Sequence, residues 1–282
     1  MTLLITGATG NIGSLITERL LARGEPPCVF ARDARAARRL FGKRVDIRTG
    51  DLSDASSLTA ALRDIDTLFL LNSGAHLGER DALAAIAAKA ASVRRVVKLS
   101  TLDVATGVGT GPWHARGEAA LRASGVTFTF LRAAAFMSNA LGWAAAIRDT
   151  GQLRASTGDG RIAFIHPEDL ADVAVQTLVT RDHENTSLVL TGPELLSYRE
   201  MAEAIGNAIG STVRFESISD ATALELATGW AESREYAEAL VDIWRAIRAG
   251  RLTTMTDEVE RVIGRKPRSF AQWATENAAA FQ

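Results

Sequence analysis

The chain has 282 residues, 47% hydrophobic and 23% charged, which is ordinary globular composition with enough chain for a large core. A formal net charge of -1 and a pI of about 6.5 supply no global basic field for nucleic acid or anionic lipid. Cys28 is the single cysteine, so no intrachain disulfide or cysteine-type zinc site can form, no metal is expected, and a reducing cytoplasm fits; the start carries no pattern of a signal peptide or membrane span.

Residues 2–13 read Thr-Leu-Leu-Ile-Thr-Gly-Ala-Thr-Gly-Asn-Ile-Gly. An apolar strand at 3–5 runs into Gly7-x-x-Gly10-x-x-Gly13. A helix over 12–23 follows, with Ile12, Leu15, Ile16 and Leu20 at helical spacing. In this order Gly7 permits a tight turn, Gly10 lets a pyrophosphate approach the main chain, and Gly13 lets the helix pack on the strand. The helix N-terminus adds unpaired N–H groups and a partial positive charge. The segment therefore predicts dinucleotide binding through Gly7, Thr9, Gly10, Asn11, Ile12 and Gly13.

Gly24 and Pro26-Pro27 end the helix. A buried strand at 28–31, a helix at 34–41 and a strand at 45–48 follow. The turn 50–54 caps a helix at 55–63. Residues 67–71 form a continuous apolar strand, as in a parallel sheet buried on both faces. An alanine-rich helix at 79–91, a fifth strand at 95–100, a helix at 113–123 and a sixth strand at 128–131 continue the alternation. The pattern predicts an α/β fold with a doubly wound parallel Rossmann sheet. Beyond Arg132 it loosens into a helix near 138–149 and a glycine-rich hairpin at Gly151 and Gly158-Asp159-Gly160. Pro167 then starts a helix at 168–180. A strand at 187–190 returns to the main sheet, and the rest is mostly helical with one strand at 213–218. The expected organisation is a nucleotide-binding domain of 1–132 with 166–192. A smaller, mostly helical substrate region of 133–165 with 193–282 completes it.

The chain resembles the NmrA-like group of atypical short-chain dehydrogenases. The resemblance is carried by Gly7-Ala8-Thr9-Gly10-Asn11-Ile12-Gly13, by Arg32 after strand two, and by Gly50-Asp51-Leu52. Ser124-Gly125 before 128–132, then Phe136-Met137 and Asn139, and the tail from Val262-Ile263-Gly264-Arg265 to Lys266-Pro267-Arg268-Ser269-Phe270 extend it. The group contains NAD(P)H-dependent quinone and triarylmethane-dye reductases, and NADP-sensing regulators without known catalysis. The resemblance implies the fold and part of the chemistry.

In this fold an acidic residue after strand two bonds the ribose 2′-OH of NAD, and an arginine accommodates the 2′-phosphate of NADP. Arg32 aligns with the family's phosphate-binding arginine, and Arg35 could add a second contact, so NADP (as NADPH) is expected over NAD. Asp33 is the opposing signal, since a carboxylate beside the pocket repels phosphate. Arg38 and Arg39 read as a solvated helix face. The resemblance puts Asp51 and Leu52 beside the adenine, the alternative being a turn and cap, and Asn72 and Ser73 on the ribose side.

The better-known members of the superfamily carry Tyr-x-x-x-Lys on the helix after strand five. Alignment on Glu118 and Ser124-Gly125 places Thr110 at the tyrosine and His114 at the lysine; Tyr198 and Tyr236 both lie in the C-terminal region. Ser100 matches the family's serine at the cofactor, without a tyrosine partner. His114 and Glu118, four apart, share a helix face. His114 then bonds the nicotinamide ribose, donates a proton near neutral pH, or forms a structural His–Glu pair, with the ribose role favoured over proton transfer. Phe136, Met137 and Asn139 follow strand six, where relatives place nicotinamide and substrate; the other reading is core packing. Trp113, Trp143 and Trp230 wall a pocket for a planar ligand or staple helices. His166 reads as a helix-start or substrate-facing residue, and Asp169 as early-helix electrostatics.

The missing tyrosine favours a conjugated, electron-poor acceptor, which delocalises an incoming electron pair and takes its proton from water. The expectation is an NADPH-dependent reductase of a quinone-like or other conjugated aromatic compound. A non-catalytic NADP(H)-binding regulator and a redox isomerase or tailoring enzyme are the alternatives. A homodimer through helical C-terminal surfaces is a further expectation; nucleic acid and membrane partners are not expected.

Overall fold

The computed structural model describes all residues from Met1 to Gln282. Strand and helix alternate from the start: β1 (Leu3–Thr6), α1 (Asn11–Ala22), β2 (Cys28–Ala31), α2 (Ala34–Phe41), β3 (Asp46–Thr49) and α3 (Ala55–Ala61). Then come β4 (Thr67–Leu70), α4 (Leu77–Ala90), β5 (Arg95–Thr101), α5 (Gly111–Ser124) and β6 (Thr127–Ala133). Next are α6 (Ala144–Thr150), β7 (Gln152–Ala155), β8 (Arg161–Ile162), α7 (Pro167–Val179) and β9 (Thr186–Leu190). The chain ends with β10 (Leu196–Ser197), α8 (Tyr198–Ile209), β11 (Arg214–Ser217), α9 (Asp220–Thr228), α10 (Arg234–Arg248), α11 (Glu258–Ile263) and α12 (Phe270–Glu276).

A seven-stranded sheet runs in the order β3-β2-β1-β4-β5-β6-β9. The pairs from β3 to β5 are parallel, with Ile5 level with Val29 on one side and Phe69 on the other. Asn185 N donates to Phe128 O and Ala134 N to Leu190 O, so β6 and β9 also advance together, and the last strand rejoins the main sheet as its sequence suggested. β1, β2 and β4 are buried at every position because helices cover both faces, whereas the edge strand β3 is polar and largely exposed. The order reverses between β1 and β4. That switch point opens a crevice at the carboxyl ends of the strands, the place where ligands sit in such sheets. Thr6 clamps it: the Thr6 hydroxyl accepts from Leu71 N at 2.8 Å and lies 2.9 Å from Leu71 O.

The chain forms two compact units. The first contains Met1–Thr101, Trp113–Arg132 and Leu170–Leu188. Its core joins Leu4, Phe30, Leu58, Leu68, Val96 and Phe130, and the alanines 84, 85, 87 and 88 let α4 lie close to the sheet. The Arg95 guanidinium is buried and donates to the carbonyls of Leu178 and Thr180 at the end of α7, where it meets the negative end of the helix.

The second unit contains Leu102–Pro112, Ala133–Asp169 and Val189–Gln282. Its core is aromatic: Trp143 packs tilted on Tyr198 at 4.9 Å, Phe164 meets Phe270 at 6.4 Å, and Phe270 meets Trp273 at 5.4 Å. Asp169, fully buried, receives Arg265 at 2.7 Å, the Arg268 side chain and Arg268 N at 2.6 Å. The basic tail motif is thus a clamp on the start of α7. His166 Nδ1 accepts from Glu168 N at 3.1 Å, capping that helix, and its Nε2 lies 3.1 Å from Glu276.

Two local expectations are corrected here. The glycine-rich stretch after Gly151 is not a hairpin: β7 pairs parallel with β11, and β8 pairs antiparallel with β10. Its glycines permit turns, but partner strands distant in sequence decide the pairing. The single helix expected near 138–149 divides into a 3-10 segment, Met137–Trp143, and α6. Met137 N is tied to Ile165 O, and Gly142, a weak helix former, lies just before the α-helical part.

Candidate functional site

The glycine turn is built as a cradle. Gly7 has φ 65°, a left-handed conformation, and a Cβ there would meet Leu71 Cδ2 at 2.7 Å. A Cβ on Gly13 would overlap Gly7 O and stand 2.6 Å from Gly7 C and 2.8 Å from Ala8 Cα, all backbone atoms. Gly10 differs: its Cβ would approach only Gly7 O, at 3.3 Å, and otherwise project into open space. Gly10 is the N-cap of α1, with no capping side chain and no acidic residue in the first turn. The N–H groups of Ile12 and Gly13 have no intrahelical acceptor, and the Ile12 side chain is buried, so its contribution is main chain. Thr9 and Asn11 are exposed beside them. The donor set suits a pyrophosphate, and the cradle is one that a Cβ would fill.

At the end of β2, Arg32 is exposed, and its charge acts on the carboxylate of Asp51. Asp33, the opposing signal, is occupied: its carboxylate caps α2, accepting from Arg35 N at 2.8 Å and Ala36 N at 3.1 Å. The helix N-terminus offsets the charge that would otherwise oppose a phosphate. Asp51 folds onto Ser53, and those hydrogen bonds hold its carboxyl below the usual range, with Arg32 and Arg80 adding to the effect. Leu52 is half-buried against the core. Arg80 donates to Ser73 O at 2.9 Å and to Asn72 Oδ1 at 3.2 Å. Two guanidinium groups therefore converge on this corner, one of them unforeseen.

Below β5 two buried ionic clusters lie side by side. Glu118 accepts from Ser100 Oγ at 2.8 Å and from both arms of Arg132, at 3.0 and 2.6 Å. The His114–Glu118 pair, one of the alternative readings, does not form, because the Arg132 fork offers the carboxylate a charged, two-point partner that a histidine cannot match. His114 is instead 3.4 Å from Lys98 Nζ through Nδ1. Lys98 is fully buried and paired with Asp81 at 2.7 Å. Burial first, and then the Lys98 charge, hold the His114 pKa well below its usual value, so the ring is neutral at pH 7. A neutral ring is a hydrogen-bonding group, and this environment corrects the reading of His114 as a proton donor near neutral pH. Lys98 and Asp81 escaped the sequence reading; Lys98 stands alone as a charge in the apolar run Val96-Val97-Lys98-Leu99, whereas Asp81 directly follows Glu79-Arg80 and gives no such signal.

Thr110 precedes α5 and carries no phenol. Tyr198 and Tyr236 lie on α8 and α10, and burial pushes both phenols up. Of the residues assigned to the substrate, Met137 is fully buried in the aromatic core, so its pocket-lining role is corrected to packing. Phe136 is half-buried, bridges to Ile165, and Asn139 is exposed. Trp113 is buried in the first unit; in the second, Trp143 packs on Tyr198 and Trp230 is exposed.

A family described as NAD(P)H-binding matches residues 7–181. The chain belongs to this family. It is 34% identical over 289 residues to the NAD(P)H azoreductase of Xenophilus azovorans, with 99% of both chains covered. It is 35% identical over 283 residues to the (4-alkanoyl-5-oxo-2,5-dihydrofuran-3-yl)methyl phosphate reductase of Streptomyces griseus, again over 99% of both. The NADPH-dependent quinone oxidoreductase of Escherichia coli, solved with NADPH, superposes with a TM-score of 0.88 at 25% identity, over 98% of this chain and 99% of that one. The protein is an NAD(P)H-dependent oxidoreductase with a Rossmann-type fold. No helix is long and apolar enough to cross a membrane.

Proposed function

We propose that the protein is an NADPH-dependent reductase of quinone-like, azo or other conjugated aromatic acceptors, working without a Tyr-Lys proton relay. One observation carries the reading: the segment after β5 carries Thr110, just before α5, and a neutral His114 on it, at the positions that the sequence resemblance aligns with the tyrosine and lysine. Neither supplies a matched acid, which an alcohol or sugar substrate requires. A conjugated acceptor does not require one, because charge spreads over its π system and water delivers the proton afterwards. The names of the azoreductase and quinone oxidoreductase relatives support the same class.

The reduced nicotinamide supplies the hydride. Gly10 and the N-terminus of α1 would receive the pyrophosphate, and Arg32, with Arg80 behind it, the 2′-phosphate. His114 would donate to a cofactor oxygen, and Phe136 and Asn139 would meet the acceptor, so positioning supplies much of the rate. Steady-state NADPH oxidation against a panel of quinones and azo dyes tests this. Turnover with conjugated acceptors and none with secondary alcohols is expected. Tight NADPH binding with no acceptor reduced would refute it in favour of a nucleotide-sensing regulator.

A further inference from the structure

We propose that Lys98, anchored by Asp81, is a positioning residue that fixes His114 as the Nε2–H tautomer and keeps it a hydrogen-bond donor. A fully buried ammonium needs a partner for each of its three N–H groups. Lys98 is ion-paired with Asp81 Oδ2 at 2.7 Å, donates to Leu99 O at 3.1 Å and lies 3.4 Å from His114 Nδ1. The carboxylate and the carbonyl carry no proton in this arrangement. The third accepts only if Nδ1 carries a lone pair, since an N–H there would point at the ammonium. The proton then belongs on Nε2.

The packing is arranged for this contact. Gly117, on α5, lies against Asp81 so closely that a Cβ would overlap Asp81 Oδ2 and stand 2.8 Å from Asp81 Cβ. Gly78, on α4, comes so close to Trp113 O that its Cβ would lie at 2.9 Å. Two glycines thus let α4 and α5 approach until the carboxylate reaches beneath the helix that carries His114. Asp81 Oδ1 is also 3.4 Å from Asn72 Nδ2, which links the cluster to the end of β4. The other charges around the ring are occupied elsewhere: Glu118 by Arg132 and Ser100, with Arg122 at 3.6 Å, and Arg116 by Glu79 at 3.9 Å. Lys98 is therefore the charge that His114 feels, and it disfavours the imidazolium as well as the wrong tautomer.

The consequence for turnover, that His114 gives a hydrogen bond to the cofactor and not a proton to the acceptor, rests on the proposed function. The tautomer does not, and it is read without cofactor or substrate. The test is long-range 1H–15N NMR of the full-length protein labelled at its four histidines, titrated from pH 5 to 8, with the His114 signal assigned by its loss in His114→Gln. In the wild type, the Nε2–H pattern is expected, with protonation displaced well below the ordinary value. The Nδ1–H pattern, or titration near the ordinary value of about 6.5, would overturn the proposal. The double variant Lys98→Met/Asp81→Asn removes both buried charges together. Its His114 pKa is expected to rise by about one pH unit or more, with both tautomers populated. An unchanged pKa and tautomer in the folded double variant would also overturn it. If that variant does not fold, the wild-type spectrum still decides. A wild type that shows Nε2–H but reduces no acceptor would leave this inference standing and remove the proposed function.

Discussion

Gly10 and Gly13 belong to one motif, yet the structure gives them different duties, and alanine at each separates the two. At Gly13 the added methyl overlaps the Gly7 carbonyl and crowds Ala8 Cα, and neither can move without opening the turn. Overpacking of this kind costs about 1–3 kcal/mol, of which the better helix propensity of alanine returns about 1 kcal/mol. A net loss of about 1 kcal/mol, and at most about 2, lowers Tm by about 2–4 °C, and at most about 8 °C, in a chain of this size. At Gly10 the backbone is extended (φ -88°, ψ 177°), which alanine adopts freely, and the single new neighbour is at 3.3 Å. Tighter restriction of the unfolded chain, about 0.4–1 kcal/mol, roughly cancels the poorer N-cap, so Tm should stay within about 2 °C. NADPH affinity of Gly10→Ala should nonetheless fall at least tenfold, about 1.4 kcal/mol, because the methyl occupies the approach of the pyrophosphate. Differential scanning fluorimetry and fluorescence titration with NADPH read the two quantities. Wild-type affinity in Gly10→Ala would refute the placement of the phosphates, and wild-type stability in Gly13→Ala would refute the packing argument.

Arg32→Ala should weaken NADPH about tenfold or more while leaving NADH affinity unchanged, and Arg80→Ala should do so less; equal losses for both nucleotides would reject the 2′-phosphate assignment. Lys98→Met alone strands a buried carboxylate and should cost about 3–5 kcal/mol in urea unfolding, whereas Lys98→Met/Asp81→Asn should recover much of that loss. In the second unit, hydrogen bonds from Arg248 and Arg245 depress the Asp220 pKa, so its contribution to stability is present above the unfolded value of about 4 and is lost as pH falls below it. The stability gap between wild type and Asp220→Asn should therefore be full at pH 6 and shrink steadily in acid; a gap independent of pH would contradict the pairing.

The α/β alternation, the glycine cradle and the extent of most elements were legible along the chain, because turn chemistry and hydrophobic period act between residues a few positions apart. The same locality explains the motif's geometry: strand, glycine turn and helix follow one another, so the turn and the helix N-terminus are set by neighbouring residues. Asp33 shows the limit. It was visible as a carboxylate next to Arg32, but its charge is committed to the N-terminus of α2, and that depends on which way the side chain turns. Met137 and Phe136 are neighbours of similar character, and only the packing of α8 and α12 decides that one is core. The turn after Gly151 specified bends without specifying partners, because β7 and β8 each pair with a strand from a later part of the chain. The state of His114 depended most on tertiary structure. Its companion Lys98 is 16 residues away, and Asp81 lies on another helix. The two acquire their influence only once burial removes water and makes a single ammonium strong enough to choose where the imidazole keeps its proton.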